Sequence, residues 1–197
     1  MRLRILDEGH ADSEREGIRE WEQMAGSASD VTLALAYRPD FFGDPLNAWI
    51  QDVLREQSEW SVDERELVGA FTAHEHRCPF CAGAHGAAAT LGLGADRVEL
   101  ALDQPDSPKL SAKLRAALAL ARDLVHGRGA NAGECVAGLE SAGVGRAGIE
   151  DVINDCAVFV VMARLALVFG FEGSADEHRR EAEALAVTGY EEWRGES

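Results

Sequence analysis

The stretch SVDERELVGAFTAHEHRCPFCAGAH, residues 61–85, decides how this chain reads. Ser61 with Glu64 three residues on is a capping box: the serine oxygen takes the N3 amide and the glutamate reaches back to the serine amide. Leu67, Val68 and Phe71 form an apolar stripe behind it, which predicts a helix running to about His74. Pro79 disfavours helical backbone at residue 78 but suits a first helical position, so Cys78 is the expected N-cap of a second helix. That helix is predicted to run to about Leu91, where the glycines at 92 and 94 stop it.

On the second helix Cys81 and His85 are i and i+4, so they share a face and a thiol can meet an imidazole there. Cys78 and Cys81 form CxxC at the helix start, close enough for a disulfide and close enough to the partial positive charge of the N-terminus to favour thiolate. Glu66 follows from length. From Glu66 to a break near 75 is ~13 Å of helix and from Cys78 to His85 is ~10 Å, at ~1.5 Å per residue. If the two helices fold back on each other, Glu66 stands nearly level with His85. A carboxylate orienting an imidazole that takes a proton from a thiol is the logic of an activated nucleophile.

Outward from this hairpin, apolar positions at 46, 49, 50, 53 and 54 predict a helix over 45–57. Helical patterns recur at 95–102, 110–126, 131–141, 146–169 and 174–188, and no segment reads as a strand, so the expected class is all-α. The first 44 residues are acidic and weakly periodic and end in the loop-like AYRPDFFGDP, which predicts irregular structure with short helix packing on the core. Residues 45–190 are the expected helical domain. GYEEWRGES at the C-terminus reads as a solvated tail, with 191–197 outside the domain.

In 197 residues, 19 basic and 35 acidic side chains give a net charge of -16, which argues against nucleic acid and anionic membrane as partners. Thirty-two alanines favour helix. The start shows no apolar signal-peptide stretch, and the longest apolar run, 156–171, is broken by Arg164 and falls short of the ~20 residues of a bilayer span. It reads as a core helix, and a cytoplasmic location is expected. Arg164, if buried in it, needs a carboxylate or carbonyl partner. Cys135 and Cys156 stand alone and read as inert core positions.

Glu66-x11-Cys78-x2-Cys81-x3-His85, preceded by Arg65, resembles the signature of the alkylhydroperoxidase D branch of the carboxymuconolactone decarboxylase superfamily. YRPDFF at 37–42 looks like the entry segment of peroxidase-related members. The run from LSAKLRAALALARDLV to AVFVVMARLALVFGFE looks like the family's second helical half, so the likeness covers roughly residues 37–171. It implies a helical-hairpin bundle of the alkylhydroperoxidase D-like type and a thiol peroxidase without cofactor or metal. Cys81 would be the peroxidatic thiol, Cys78 the resolving thiol, and Glu66 and His85 members of the proton relay. The implied partners are a hydroperoxide substrate, an external thiol or dithiol reductant, and further copies of the chain in a homo-oligomer. Two positions depart from the pattern: Phe80 stands where relatives carry a histidine between the cysteines, and Ala163 where an asparagine precedes the late arginine.

Three other readings stay open. The first is disulfide oxidoreduction without peroxide. The second is a zinc-stabilised helical binding module in which Cys78, Cys81 and His85 are joined by His74, His76 or a distant cysteine. The third is simple packing of the two thiols. Lactone decarboxylation is less expected, because that branch lacks the cysteine pair.

Overall fold

The structure, a computed structural model, describes residues 9–190. Among them the regular elements are helical: α1 Asp12–Ala25, α2 Asp30–Tyr37, α3 Asp44–Arg55, α4 Val62–Glu75, α5 Pro79–Leu93, α6 Ala95–Asp103, α7 Ala112–Arg122, α8 Ala132–Ser141, α9 Arg146–Phe169 and α10 Ala175–Thr188. Short π-helical turns, Pro39–Gly43 and Asp123–Gly127, follow α2 and α7. The all-α class is as expected.

The N-terminal region corrects one expectation. Instead of irregular structure with short helix it carries the 14-residue α1 and the 8-residue α2. In α1 the core-facing stripe is only Ile18, Trp21 and Ala25, set among seven charged residues of DSEREGIREWEQMA, so its periodicity is faint in the sequence. Acidic Asp12 and Glu14 favour its N-terminus, and Gly26, at φ 83°, ends it in the left-handed region.

α4 is the centre of the bundle. Its Ser61 capping box is formed, with the Ser61 hydroxyl accepting from the Glu64 amide and Glu64 accepting from the Ser61 amide. Nine consecutive residues, Arg65 to Ala73, are buried because neighbours cover it on every side. α5 packs antiparallel to it, α7 and α9 cover other faces, and α10 lies across α5. Leu67, Phe71, Leu114, Leu118 and Leu139 fill one cluster; Leu35, Ile50, Leu54, Phe159 and Met162 fill a second. Full burial of a side chain of this size contributes roughly 1.5–3 kcal/mol. Close approach of α9 to α4 requires Gly69: a methyl there would overlap the Phe159 ring.

α9 is long and apolar enough to cross a membrane by length and composition, yet it packs along α4, with Val152, Cys156, Phe159 and Met162 buried. Arg164 on it is exposed, so the buried ion pair that a core position would have required does not arise. Cys156 is buried, while Cys135 is only half-buried at the edge of the core. The tail reading divides. Gly189 ends α10 and Tyr190 turns inward, whereas 191–197 lie outside the described residues.

Candidate active site

The α4–α5 turn is tight. Arg77 adopts φ 58°, the amide of Cys78 donates to the carbonyl of Ala73 at 2.9 Å, and Cys78 leaves the turn in extended conformation before Pro79 opens α5. The chain therefore reverses within three residues, and Glu66 comes level with His85.

Glu66 Oε2 lies 2.6 Å from His85 Nδ1. Its other oxygen, Oε1, accepts from Arg55 Nη2 at 2.7 Å and from the Tyr190 hydroxyl at 3.2 Å. The carboxylate is 1% exposed, so these donors replace water. Burial pushes its pKa up, but His85 first and Arg55 second hold it below the ordinary carboxylate range. Ionised Glu66 can only accept, so His85 Nδ1 carries a proton and Nε2 is left as the basic edge. Phe159 meets the His85 ring edge-on at 4.4 Å between centroids, and the Tyr190 ring lies nearly parallel to it at 6.5 Å. The Arg55 guanidinium sits over the Tyr190 ring at 4.8 Å, a cation–π contact that completes the cage. Asp155, fully buried behind Glu66, has neither carboxyl oxygen hydrogen-bonded among the described residues; burial, and then the charge of Glu66, push its pKa well up.

Cys78 and Cys81 are both free thiols, 1% and 3% exposed. The Cys81 thiol donates to Cys78, and against the upward push of burial this, with the backbone amides of Cys81 and Phe80, lowers Cys78 to about 7. Cys81 is pushed well up, because it is the donor to Cys78 and because it is buried. The helix start thus sets the two thiols against each other, with the backbone amides of Phe80 and Cys81 favouring negative charge on Cys78. Cys78 forms the floor of an open groove of about 510 Å³ whose rim includes His74, Arg77 and His126, with Glu75 bonded to His126 Nε2 at 2.7 Å.

All four expected site residues lie on this hairpin, but one expected contact is not made. Among the described residues no hydrogen bond joins His85 to either thiol; its Nδ1 turns to the buried carboxylate, and the thiols bond each other. Nor do three His, Cys, Asp or Glu side chains converge to hold a metal among the described residues, so the zinc arrangement is not assembled. Phe80 packs between Phe171 and His178, at 5.5 and 5.4 Å between centroids, which brings a histidine toward the CxxC helix from α10 rather than from between the cysteines. Sequence reasoning missed Arg55 and Tyr190. Arg55 lay in plain view at the end of a predicted helix; Tyr190, 124 residues from Glu66, gave no local signal.

Residues 42–123 match the carboxymuconolactone decarboxylase family. The whole fold is similar to an uncharacterized peroxidase-related protein from Silicibacter sp. TM1040, with TM-score 0.78 and 22% identity, over 90% of this chain and 93% of that one. It is also similar to an alkylhydroperoxidase core, an uncharacterized peroxidase-related protein from Ralstonia eutropha JMP134, with TM-score 0.75 and 21% identity, over 90% and 96%. A debrominase, Bmp8, shares the fold at TM-score 0.68 and 15% identity, over 87% and 92%. A cysteine-to-alanine variant of that debrominase is known in complex with 2,3,4-tribromopyrrole. No curated protein matches the chain in sequence.

Proposed function

We propose, from the match of residues 42–123 to the carboxymuconolactone decarboxylase family and the likeness of the fold to an alkylhydroperoxidase core, that this chain is a dithiol peroxidase. The observation that carries this reading is the pair of buried free thiols bonded to each other at the start of α5, with the backbone amides of Phe80 and Cys81 turned to Cys78. Cys78 thiolate attacks the terminal oxygen of a hydroperoxide; the O–O bond breaks, Cys78 becomes a sulfenic acid, and the alkoxide leaves with a proton. Cys81 then attacks that sulfur, water departs, and the disulfide forms. An external dithiol reduces it, becoming oxidised itself. His85 Nε2, oriented by Glu66, takes the proton of the reacting thiol through a bridging water and returns it to the departing oxygen.

In this proposal the thiols act in the reverse of the order that the family resemblance implied, on the ground that the backbone amides at the helix start and the Cys81 thiol favour negative charge on Cys78. Peroxide should leave a stable sulfenic acid on Cys78 in Cys81→Ser, and Cys78→Ser should react far more slowly, by stopped-flow kinetics with mass spectrometry of both sites. A fast sulfenic acid on Cys81 in Cys78→Ser would restore the implied order. No oxidation of either thiol would remove the peroxidase reading.

A second reading, disulfide exchange with another protein, is favoured by the open groove at Cys78, whose exposed rim admits something bulkier than a hydroperoxide. It predicts reduction of a protein disulfide at a rate that peroxide does not match.

A further inference from the structure

The groove above Cys78 has a cationic rim that the composition of the chain gives no reason to expect. Acidic side chains outnumber basic ones 35 to 19, yet His74, Arg77 and His126 line the groove and Glu75 is the one acid among its described lining residues. The charge of Glu75 is already neutralised, by His126 Nε2 at 2.7 Å and by Arg122 Nε at 3.8 Å. Close by stands His76, whose Nε2 is buried without a hydrogen-bond partner among the described residues. Burial, and then the neighbouring charges of Arg164 and His126, push its pKa down. These groups work against one another, and an anion in the groove would relieve that repulsion. Arg77 gives a second sign. It holds φ 58°, a left-handed conformation that glycine or asparagine adopts more readily. Its guanidinium is exposed and has no ion pair among the described residues.

We infer that this groove binds the reductant, and that the reductant is a small thiol carrying a carboxylate. The inference rests on the dithiol reading above and names the partner it needs. A hydroperoxide reaches Cys78 uncharged, so a cationic rim does little to draw it. Thiol–disulfide exchange differs, because the attacking species is a thiolate. The reductant's sulfur attacks Cys78 Sγ, the Cys78–Cys81 bond breaks, and Cys81 leaves with the electron pair and takes a proton. A second thiolate, from the same molecule or another, attacks the reductant's sulfur in the mixed disulfide, frees Cys78 and leaves the reductant oxidised. Arg77 and His74, on the rim, are the groups placed to pair with the carboxylate. A volume of about 510 Å³ lies within the range of small-molecule sites.

The test uses the full chain, oxidised by one equivalent of hydrogen peroxide and freed of excess. Its reduction is followed by alkylation and mass spectrometry with 3-mercaptopropionate and with the matching neutral amide, 3-mercaptopropionamide, each rate being divided by the thiolate fraction. The carboxylate should react about fivefold faster, the order of one ion pair at a wetted site, despite the net charge of -16. On the neutral disulfide of 2-mercaptoethanol the two probes set the intrinsic ratio. Arg77→Asn, which suits the left-handed turn, should lose most of the preference, and Arg77→Lys should keep it. Arg97→Asn, on the exposed face of α6, changes the net charge equally and should also keep it. Melting curves confirm that each variant is folded. Equal rates for the two probes, a preference undiminished in Arg77→Asn, or an equal loss in Arg97→Asn would overturn this inference alone. Failure of peroxide to join Cys78 to Cys81 would remove it together with the dithiol reading.

Discussion

Glu66 and His85 face each other across the α4–α5 hairpin, Oε2 to Nδ1 at 2.6 Å, although 19 positions separate them. The contact turns a helical hairpin into an oriented base, and it does so with a carboxylate that water cannot reach.

Glu66→Gln keeps the shape but leaves the Arg55 guanidinium, 13% exposed, without its anion. Loss of one partner from a buried pair costs about 3–5 kcal/mol, so the variant should fold but unfold at lower urea. Because the folded-state pKa of Glu66 is depressed, its contribution is present above the unfolded carboxylate value near ~4.3 and fades as pH falls through the folded one. Urea titrations at pH 7 and below pH 4 should show the gap between wild type and variant shrinking in acid. An equal gap at both would count against a charge role. Peroxide reaction of the dithiol should also slow.

Cys78 should react with iodoacetamide at a rate that rises through a midpoint of about 7. Cys81→Ala removes the thiol that donates to it, so the midpoint should move up toward the ordinary thiol value of ~8.5. A midpoint that stays put would show that the backbone amides alone hold the thiolate. Stability follows the same sign: the depressed Cys78 contributes above the unfolded thiol pKa, and that contribution is lost as pH falls through about 7.

Gly69→Ala should destabilise the fold by about 1–3 kcal/mol, since the added methyl meets the Phe159 ring and α9 must move outward. Phe159 is also the edge-on neighbour of His85. Thermal melting and thiol reactivity should therefore both fall, although Gly69 touches neither thiol. A stable variant with normal reactivity would mean that α9 shifts freely.

An apolar groove of about 440 Å³ is lined by Phe41, Phe42, Trp49, Val161, Leu165 and Phe169, and Phe41 is 71% exposed. The aromatic entry loop and the apolar late helix thus meet on one face. We expect copies of the chain to associate there, burying at least ~1,000 Å². Light scattering should give a multiple of 21.2 kDa that persists or strengthens at high salt, where repulsion between chains of charge -16 is screened. Phe41→Glu should shift it toward one chain. A single-chain mass at both salt concentrations would refute the assembly.

Much of the hairpin was legible because its rules act over a few residues. The Ser61–Glu64 box, Pro79 after Cys78 and the i, i+4 spacing of Cys81 and His85 are local hydrogen-bonding and steric facts, and helix rise alone set Glu66 level with His85. α1 was not legible, because three apolar residues among charged ones make a weak period whatever they later bury.

The chain by itself determined the helices, the dithiol at a helix start and the approximate register of carboxylate against imidazole. Tertiary structure alone decided which partners close the site. Arg55 arrives from α3 and Tyr190 from beyond α10, while Trp21, Asn47 and Glu181 come from three helices to one cavity. Local propensity cannot specify such meetings. They depend on how whole helices cross, and helix crossing is set by the summed burial of many side chains rather than by the residues that finally touch.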